Sequence, residues 1–225
     1  MTVQNPLIIA LDVSTREKAI SLVKQLNDRV AMFKVGPVLF TRYGPDIIAD
    51  IKQSGADVFL DLKFHDIPNT VASSVKAIAE LGVSMFTVHI SGGRDMLLAA
   101  VDALKPNNEY RVTRPKILGV TVLTSIAGAT GEEVVGLAKV ARDCGLDGVI
   151  ASPLEIEPIR KATGRDFLIV TPGIRPEGIS AGDQKRTATP AEALQRGADY
   201  IVVGRPIIKS SQPKEAARRI LNGIN

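Results

Sequence analysis

Gln53-Ser54-Gly55-Ala56-Asp57-Val58-Phe59-Leu60 is a helical pattern closed by glycine and followed at once by a short apolar strand. The phrase returns as Glu80-Leu81-Gly82-Val83-Ser84-Met85-Phe86-Thr87-Val88 and as Asp143-Cys144-Gly145-Leu146-Asp147-Gly148-Val149-Ile150. It occurs again as Gln195-Arg196-Gly197-Ala198-Asp199-Tyr200-Ile201-Val202-Val203. Glycine past a helix C-terminus accepts left-handed backbone angles that other residues resist. Strands that are apolar throughout, instead of alternating, are buried on both faces, as in a parallel sheet covered by helices.

Outward from these repeats, eight strands are expected near 7–12, 31–35, 57–62, 84–89, 117–123, 148–151, 167–171 and 200–204, each followed by a helical pattern. Capping boxes mark helix starts at Ser14-x-x-Glu17, Thr130-x-x-Glu133 and Thr189-Pro190-Ala191-Glu192, the last with proline at the first helical position. Eight β/α units in 225 residues average about 28 residues each, the period of a βαβ unit. No linker, low-complexity tract or shift in composition divides the chain. The expected fold is therefore α/β, a single (β/α)8 TIM barrel domain over residues 1–225, with an open doubly wound sheet as the alternative.

Composition narrows the function classes. Lys and Arg exceed Asp and Glu by 28 to 24, a net charge of +4, with no basic block and only 4% aromatic residues. Without basic stripes or stacking aromatics a nucleic-acid partner is not expected, and a small anionic ligand suits the balance. The one cysteine, Cys144, excludes an internal disulfide and reads as an inert packed thiol in a reducing, cytoplasmic setting. Met1–Pro6 has no basic region leading into an apolar stretch, so no signal peptide is expected. No apolar run approaches the roughly 18 residues of a membrane helix.

Active sites of such barrels are built at the C-terminal ends of the strands. Here those ends carry Asp12, Lys34, the segment Asp61-Leu62-Lys63-Phe64-His65-Asp66-Ile67-Pro68-Asn69-Thr70, His89, Thr124-Ser125, Ser152, Thr171-Pro172-Gly173-Ile174-Arg175 and Gly204-Arg205-Pro206. A solvated strand end accounts for any one of these, because exposed ion pairs contribute only about 0–1 kcal/mol. Polar groups at the same end of all eight strands point instead to a site. Alternate strand residues share a face, so Asp61 and Lys63 are expected to point the same way, with Asp66 beyond the strand. Gly204-Arg205 with Pro172-Gly173 occupy the usual phosphate-binding quarter of the barrel, where glycine admits backbone N–H groups and arginine supplies a bidentate fork. The long loop before Pro190, with Glu177-Gly178-Ile179-Ser180-Ala181-Gly182-Asp183-Gln184, reads as a lid or binding loop.

No dinucleotide fingerprint and no P-loop is present, and two histidines, His65 and His89, offer little for a metal; a His65/Asp66/His89 site is the weaker alternative. The equipment is Lys and Asp, with no cofactor and no metal expected. Lys34 and Lys63 can donate protons and stabilise anions, while Asp61 and Asp66 can repel or desolvate a substrate carboxylate. Such a row fits decarboxylation of a phosphorylated acid, and equally isomerisation through an enediolate.

The segment Asp61–Thr70, together with Ala10-Leu11-Asp12, Thr171–Arg175 and Gly204-Arg205-Pro206, resembles the signature of the orotidine 5′-phosphate decarboxylases, most closely their short bacterial form. The resemblance covers essentially the whole chain. It implies a metal-free carboxy-lyase of pyrimidine biosynthesis, a homodimer with shared active sites, converting orotidine monophosphate to uridine monophosphate and CO2. Carried over by position, Lys63 would donate a proton to C6 of the pyrimidine and Asp61 would lie against the scissile carboxylate. Lys34 would position Asp61 and the ribose, and Asp12 would bind ribose hydroxyls. Asp66, Ile67 and Thr70 would reach into the neighbouring subunit's site. Thr124 would bond the pyrimidine edge, Gln184 would bridge base and phosphate, and Pro172, Arg175, Gly204 and Arg205 would lie in the phosphate and closing-loop region, with Arg186 as the alternative to Arg175.

The rival enzyme is the metal-dependent keto-gulonate phosphate decarboxylase type, which shares the Asp-x-Lys-x-x-Asp pattern but is expected to carry an acidic metal ligand where Lys34 stands. Ribulose-phosphate epimerases need more histidine than this chain has. A non-catalytic phosphate-binding barrel is the reading from another class, against which the intact Lys34, Asp61, Lys63 and Asp66 speak.

Overall fold

The computed structural model describes residues 5–105, 114–123, 131–176 and 187–224. Its strands are β1 (Leu7–Ala10), β2 (Met32–Val35), β3 (Val58–Phe64), β4 (Met85–His89), β5 (Lys116–Val120), β6 (Gly148–Ile150), β7 (Leu168–Thr171) and β8 (Tyr200–Val203). Each pairs in parallel with the next, and β8 pairs with β1, so the sheet closes into a barrel. Helices α1 (Arg16–Leu26), α2 (Pro37–Tyr43), α3 (Asp46–Gln53), α4 (Pro68–Glu80), α5 (Arg94–Asp102), α6 (Gly131–Asp143), α7 (Ile156–Thr163), α8 (Pro190–Gln195), α9 (Arg205–Ile208) and α10 (Pro213–Asn222) lie between and after the strands. The closed parallel sheet excludes the open doubly wound alternative. No helix of the described residues is long and apolar enough to cross a membrane.

The helices pack through apolar stripes at helical spacing: α3 buries Ile47, Ile48 and Ile51, and α4 buries Val71, Val75, Ile78 and Ala79. The glycines of the repeated phrase take the expected left-handed angles, with φ of 77° at Gly55, 64° at Gly82, 86° at Gly145 and 106° at Gly197. The residue two places on has a use as well. Asp147 accepts the Ile117 N–H at 2.7 Å, and Asp199 accepts the Ile169 N–H at 2.7 Å. Each carboxylate thus satisfies a backbone donor at the start of the preceding strand, where the ladder leaves it unpaired. Arg160 completes this end of the barrel, bonding Asp199 and the carbonyls of Gly164, Phe167 and Gly197.

Four local expectations need correction or restriction. Helix α1 is capped by Thr15, whose hydroxyl accepts the Lys18 N–H, not by a Ser14 box. Thr15 has the extended backbone of an N-cap, so the helix begins one residue later than the Ser14-Glu17 spacing suggests. The Thr189–Glu192 box is present with both bonds, whereas Thr130 lies outside the described residues. Strand β5 stops at Val120, and β3 continues to Phe64 through a register shift: Leu60 faces Phe86 but Phe64 faces Val88.

The period of two along each strand positions the site. Ile8, Ala10, Met32, Phe59, Met85, Leu118, Val170 and Val202 fill the barrel interior as one apolar cluster. One step further along the same inward rows stand Asp12 after Ala10, Lys34 after Met32, Asp61 after Phe59, Thr87 after Met85 and Gly204 after Val202. The apolar plug thus forms the floor, and the polar residues form the layer above it at the C-terminal ends.

Candidate active site

A cavity of about 240 Å³ opens at those strand ends. One side is charged, with Asp12, Lys34, Asp61 and Lys63; the far wall is apolar, with Val120, Val122, Leu123, Ile150 and Ala151. Pro172, Gly173, Arg175, Gly204 and Arg205 line the β7–β8 quarter. The β2–β3 register sets Lys34 opposite Phe59, two residues before Asp61, which brings ammonium and carboxylate together.

The charges alternate in space. Lys34 Nζ lies 3.6 Å from Asp12 and 3.3 Å from Asp61, and Lys63 Nζ lies 2.8 Å from the other Asp61 oxygen. Asp61 is 8% exposed, so its charge is screened little. Burial pushes its carboxyl upward, but the Lys34 and Lys63 ammoniums, with hydrogen bonds from Lys63 and Thr87, outweigh burial and hold it below the usual carboxylate range. Asp61 is therefore a fixed negative charge gripped by two cations, in a cavity with an apolar opposite wall. A field of that kind acts strongly on a charged ligand.

Asp61 and Lys63 do point the same way, though not by simple alternation. Lys63 has φ 55°, the one non-glycine residue with positive φ among the described residues, and it sits in the β3 register shift. Bulges of this sort re-aim a side chain and are over-represented beside active sites. Thr87, buried in the middle of β4, accepts the Lys63 N–H at 2.9 Å and donates to Asp61 at 3.0 Å. Thr87 carries little signal in the sequence, being one hydroxyl in the otherwise apolar Met85-Phe86-Thr87-Val88. Across β8 and β1, a Cβ on Gly204 would stand 3.5 Å from an Asp12 oxygen and 3.4 Å from the Ala10 methyl, so glycine keeps that corner open.

Of the residues expected from the sequence, Asp12, Lys34, Asp61, Lys63, Pro172, Arg175, Gly204 and Arg205 meet around this one cavity. Asp66, Ile67 and Thr70 do not line it: all three are exposed at the start of α4, where Asp66 accepts the Ile67 N–H at 2.7 Å. Thr124, Gln184 and Arg186 lie outside the described residues. The ends of the segment holding Gln184 are tied together, since Arg175 N–H donates to the Ala188 carbonyl at 2.9 Å. His65 and His89 lie with ring centroids 5.4 Å apart. Among the described residues no group of three or more His, Cys, Asp or Glu is placed to hold a metal ion.

Residues 5–220 match the profile of the Orotidine 5'-phosphate decarboxylase / HUMPS family. The chain is 48% identical to the orotidine 5′-phosphate decarboxylase of Syntrophomonas wolfei subsp. wolfei over 237 aligned residues, covering 100% of this chain and 99% of that one. It is 47% identical to that of Geobacter sp. (strain M21), covering 97% and 95%. Among solved structures, the orotidine 5′-phosphate decarboxylase from Lactobacillus acidophilus superposes with a TM-score of 0.85 at 41% identity, covering 99% of this chain and 100% of that one.

Proposed function

The chain belongs to the orotidine 5′-phosphate decarboxylase / HUMPS family, and on that premise we propose that it converts orotidine 5′-monophosphate to uridine 5′-monophosphate and CO2 without a cofactor, with Lys63 as the acid. The observation that carries this reading is the row Asp12–Lys34–Asp61–Lys63 facing an apolar wall. Arg205, Gly204, Pro172 and Arg175 receive the phosphate, with Gln184 bridging phosphate and base; Asp12 and Lys34 hold the ribose. Binding energy from the phosphate, remote from the reacting carbon, holds the pyrimidine against the charged row. The substrate carboxylate then lies against Asp61, two like charges in a poorly screened site. The bond from C6 to the carboxylate breaks, CO2 leaves, and the electron pair stays at C6 beside the Lys63 ammonium. Electrostatic stabilisation of that carbanion is the main contribution, and transfer of the Lys63 proton to C6 completes the product. Thr124 completes the recognition of the pyrimidine edge.

The metal-dependent keto-gulonate phosphate type is disfavoured by Lys34, whose ammonium stands between two carboxylates where that type is expected to carry an acidic ligand. Loss of the orotate chromophore on incubation with orotidine monophosphate, with and without a chelator, tests the assignment. Chelator-insensitive decarboxylation is expected; no reaction, or reaction abolished by the chelator, overturns it.

The protein acts as a homodimer in the cytoplasm, where a reducing environment suits the buried free thiol of Cys144. Asp66, Ile67 and Thr70 serve the partner's site, a role supported by their position outside the chain's own cavity and by the 66% exposure of the Ile67 side chain. Lys63→Ala and Asp66→Ala chains, each inactive alone, are expected to regain activity when mixed, because a heterodimer then contains one intact site. Absence of any recovery in verified heterodimers refutes the sharing.

A further inference from the structure

Lys63 holds a backbone conformation that L side chains rarely adopt, near the C-terminal end of β3 and within the stretch where its pairing with β4 shifts register. Such a conformation persists only where its surroundings hold it. The Lys63 N–H is an obligate donor, and it goes to Thr87 Oγ1 at 2.9 Å. That leaves the single hydroxyl proton of Thr87 for Asp61 Oδ1, at 3.0 Å. The same Asp61 oxygen takes the Lys63 ammonium at 2.8 Å. The contacts close a ring: Lys63 backbone to Thr87 hydroxyl, hydroxyl to carboxylate, carboxylate back to the Lys63 side chain. Thr87 is fully buried on β4.

We propose that Thr87 is a positioning residue for the decarboxylation, its hydroxyl clamping the left-handed backbone of Lys63 and the Asp61 carboxylate in one geometry. This rests on the activity assigned above. Without the hydroxyl, the strand relaxes toward ordinary extended angles at Lys63, and the ammonium moves off the place where the C6 electron pair forms. The residues assigned to phosphate and ribose lie on β2 and just past the ends of β1, β7 and β8, away from Thr87. The defect therefore falls on turnover and spares binding.

The test is steady-state kinetics of Thr87→Val, which keeps the shape and removes both bonds, and of Thr87→Ser, which keeps the hydroxyl. Thr87→Val is expected to lose roughly 10- to 100-fold in kcat, the scale of a small misplacement of a catalytic group. Its KM for orotidine monophosphate and its Kd for uridine monophosphate stay within about threefold, the signature of an interaction used at the transition state. Thr87→Ser recovers most of the lost turnover. If Thr87→Val does not fold, the Thr87→Ser and Thr87→Ala pair isolates the hydroxyl in the same way. An active wild type with Thr87→Val turnover within about twofold of it overturns the inference alone, as does a Thr87→Ser as impaired as the variant lacking the hydroxyl. A wild type that leaves orotidine monophosphate intact overturns the activity assignment and the inference with it.

Discussion

Replacing Asp61 by Asn removes one charge from the centre of the row while keeping its shape. The Asp61 oxygens lie 2.8 Å from the Lys63 ammonium and 3.3 Å from that of Lys34. At an effective dielectric constant of about 20, the gross attractions are about 6 and about 5 kcal/mol. Desolvation of three charged groups cancels much of this, and breaking a buried pair by deleting one partner typically costs about 3–5 kcal/mol. The amide retains part of the hydrogen bonding, so the loss lies near the lower figure. For a chain of this size about 3 kcal/mol corresponds to a fall in Tm of roughly 6–12 °C at neutral pH. The pH dependence follows from the depressed Asp61 pKa. The folded carboxyl titrates below its ordinary 3.8, so its contribution is fully present above that value and is lost as pH falls through the folded pKa. Denaturant unfolding of wild type and Asp61→Asn at pH 7, 5 and 3 should show a constant gap at the first two and a narrowed one at the third. In the same variant kcat falls by at least about 100-fold. KM does not rise, because the carboxylate that crowds the substrate's own is gone. A Tm unchanged at pH 7, or a gap that persists undiminished at pH 3, refutes the reasoning that the two ammoniums stabilise Asp61.

At the opposite end of the barrel, Asp199→Ala removes the partner of Arg160 and the acceptor for the Ile169 N–H; thermal unfolding should show a loss of about 3 kcal/mol with kcat per folded molecule unchanged. Gly148→Ala drives a methyl into the Leu168 carbonyl oxygen and should lower stability by at least about 1–3 kcal/mol. Gly136→Ala, in an exposed turn of α6 with open space around the new methyl, should raise stability by up to about 1 kcal/mol in the same denaturation assay. Burial, with His65 and Lys63 adding to it, pushes His89 below its ordinary 6.5. The unfolded chain therefore binds that proton first as pH falls, stability declines from pH 7 toward pH 5, and His89→Gln should flatten that part of the profile measured by unfolding.

Much of the site was legible because strand-end chemistry is local. Asp12, Lys34, Asp61, Lys63, Gly204 and Arg205 each follow an apolar run, and the fold's closure gathers them around one cavity. Thr87 escaped because a threonine inside an apolar strand looks like an ordinary β-former; only its neighbours on β3 make it polar in effect. The continuation of β3 past Leu62 escaped because a bulge depends on pairing with β4, which no window of β3 contains. The cap of α1 moved from Ser14 to Thr15 for a similar reason: two adjacent hydroxyl residues are equivalent in sequence, and the backbone angle at the turn decides between them.

The sequence by itself determined the repeating unit, since glycine at helix ends and doubly buried strands are properties of neighbouring residues. It also determined which residues reach the catalytic end, because the period of two along a strand carries its apolar floor into its polar rim. The tertiary structure alone decided how those charges meet. The distances from Lys34 and Lys63 to Asp61 depend on the stagger between β2 and β3 and on the left-handed turn at Lys63. Both are set by hydrogen bonds between strands distant in sequence, so no local pattern encodes them.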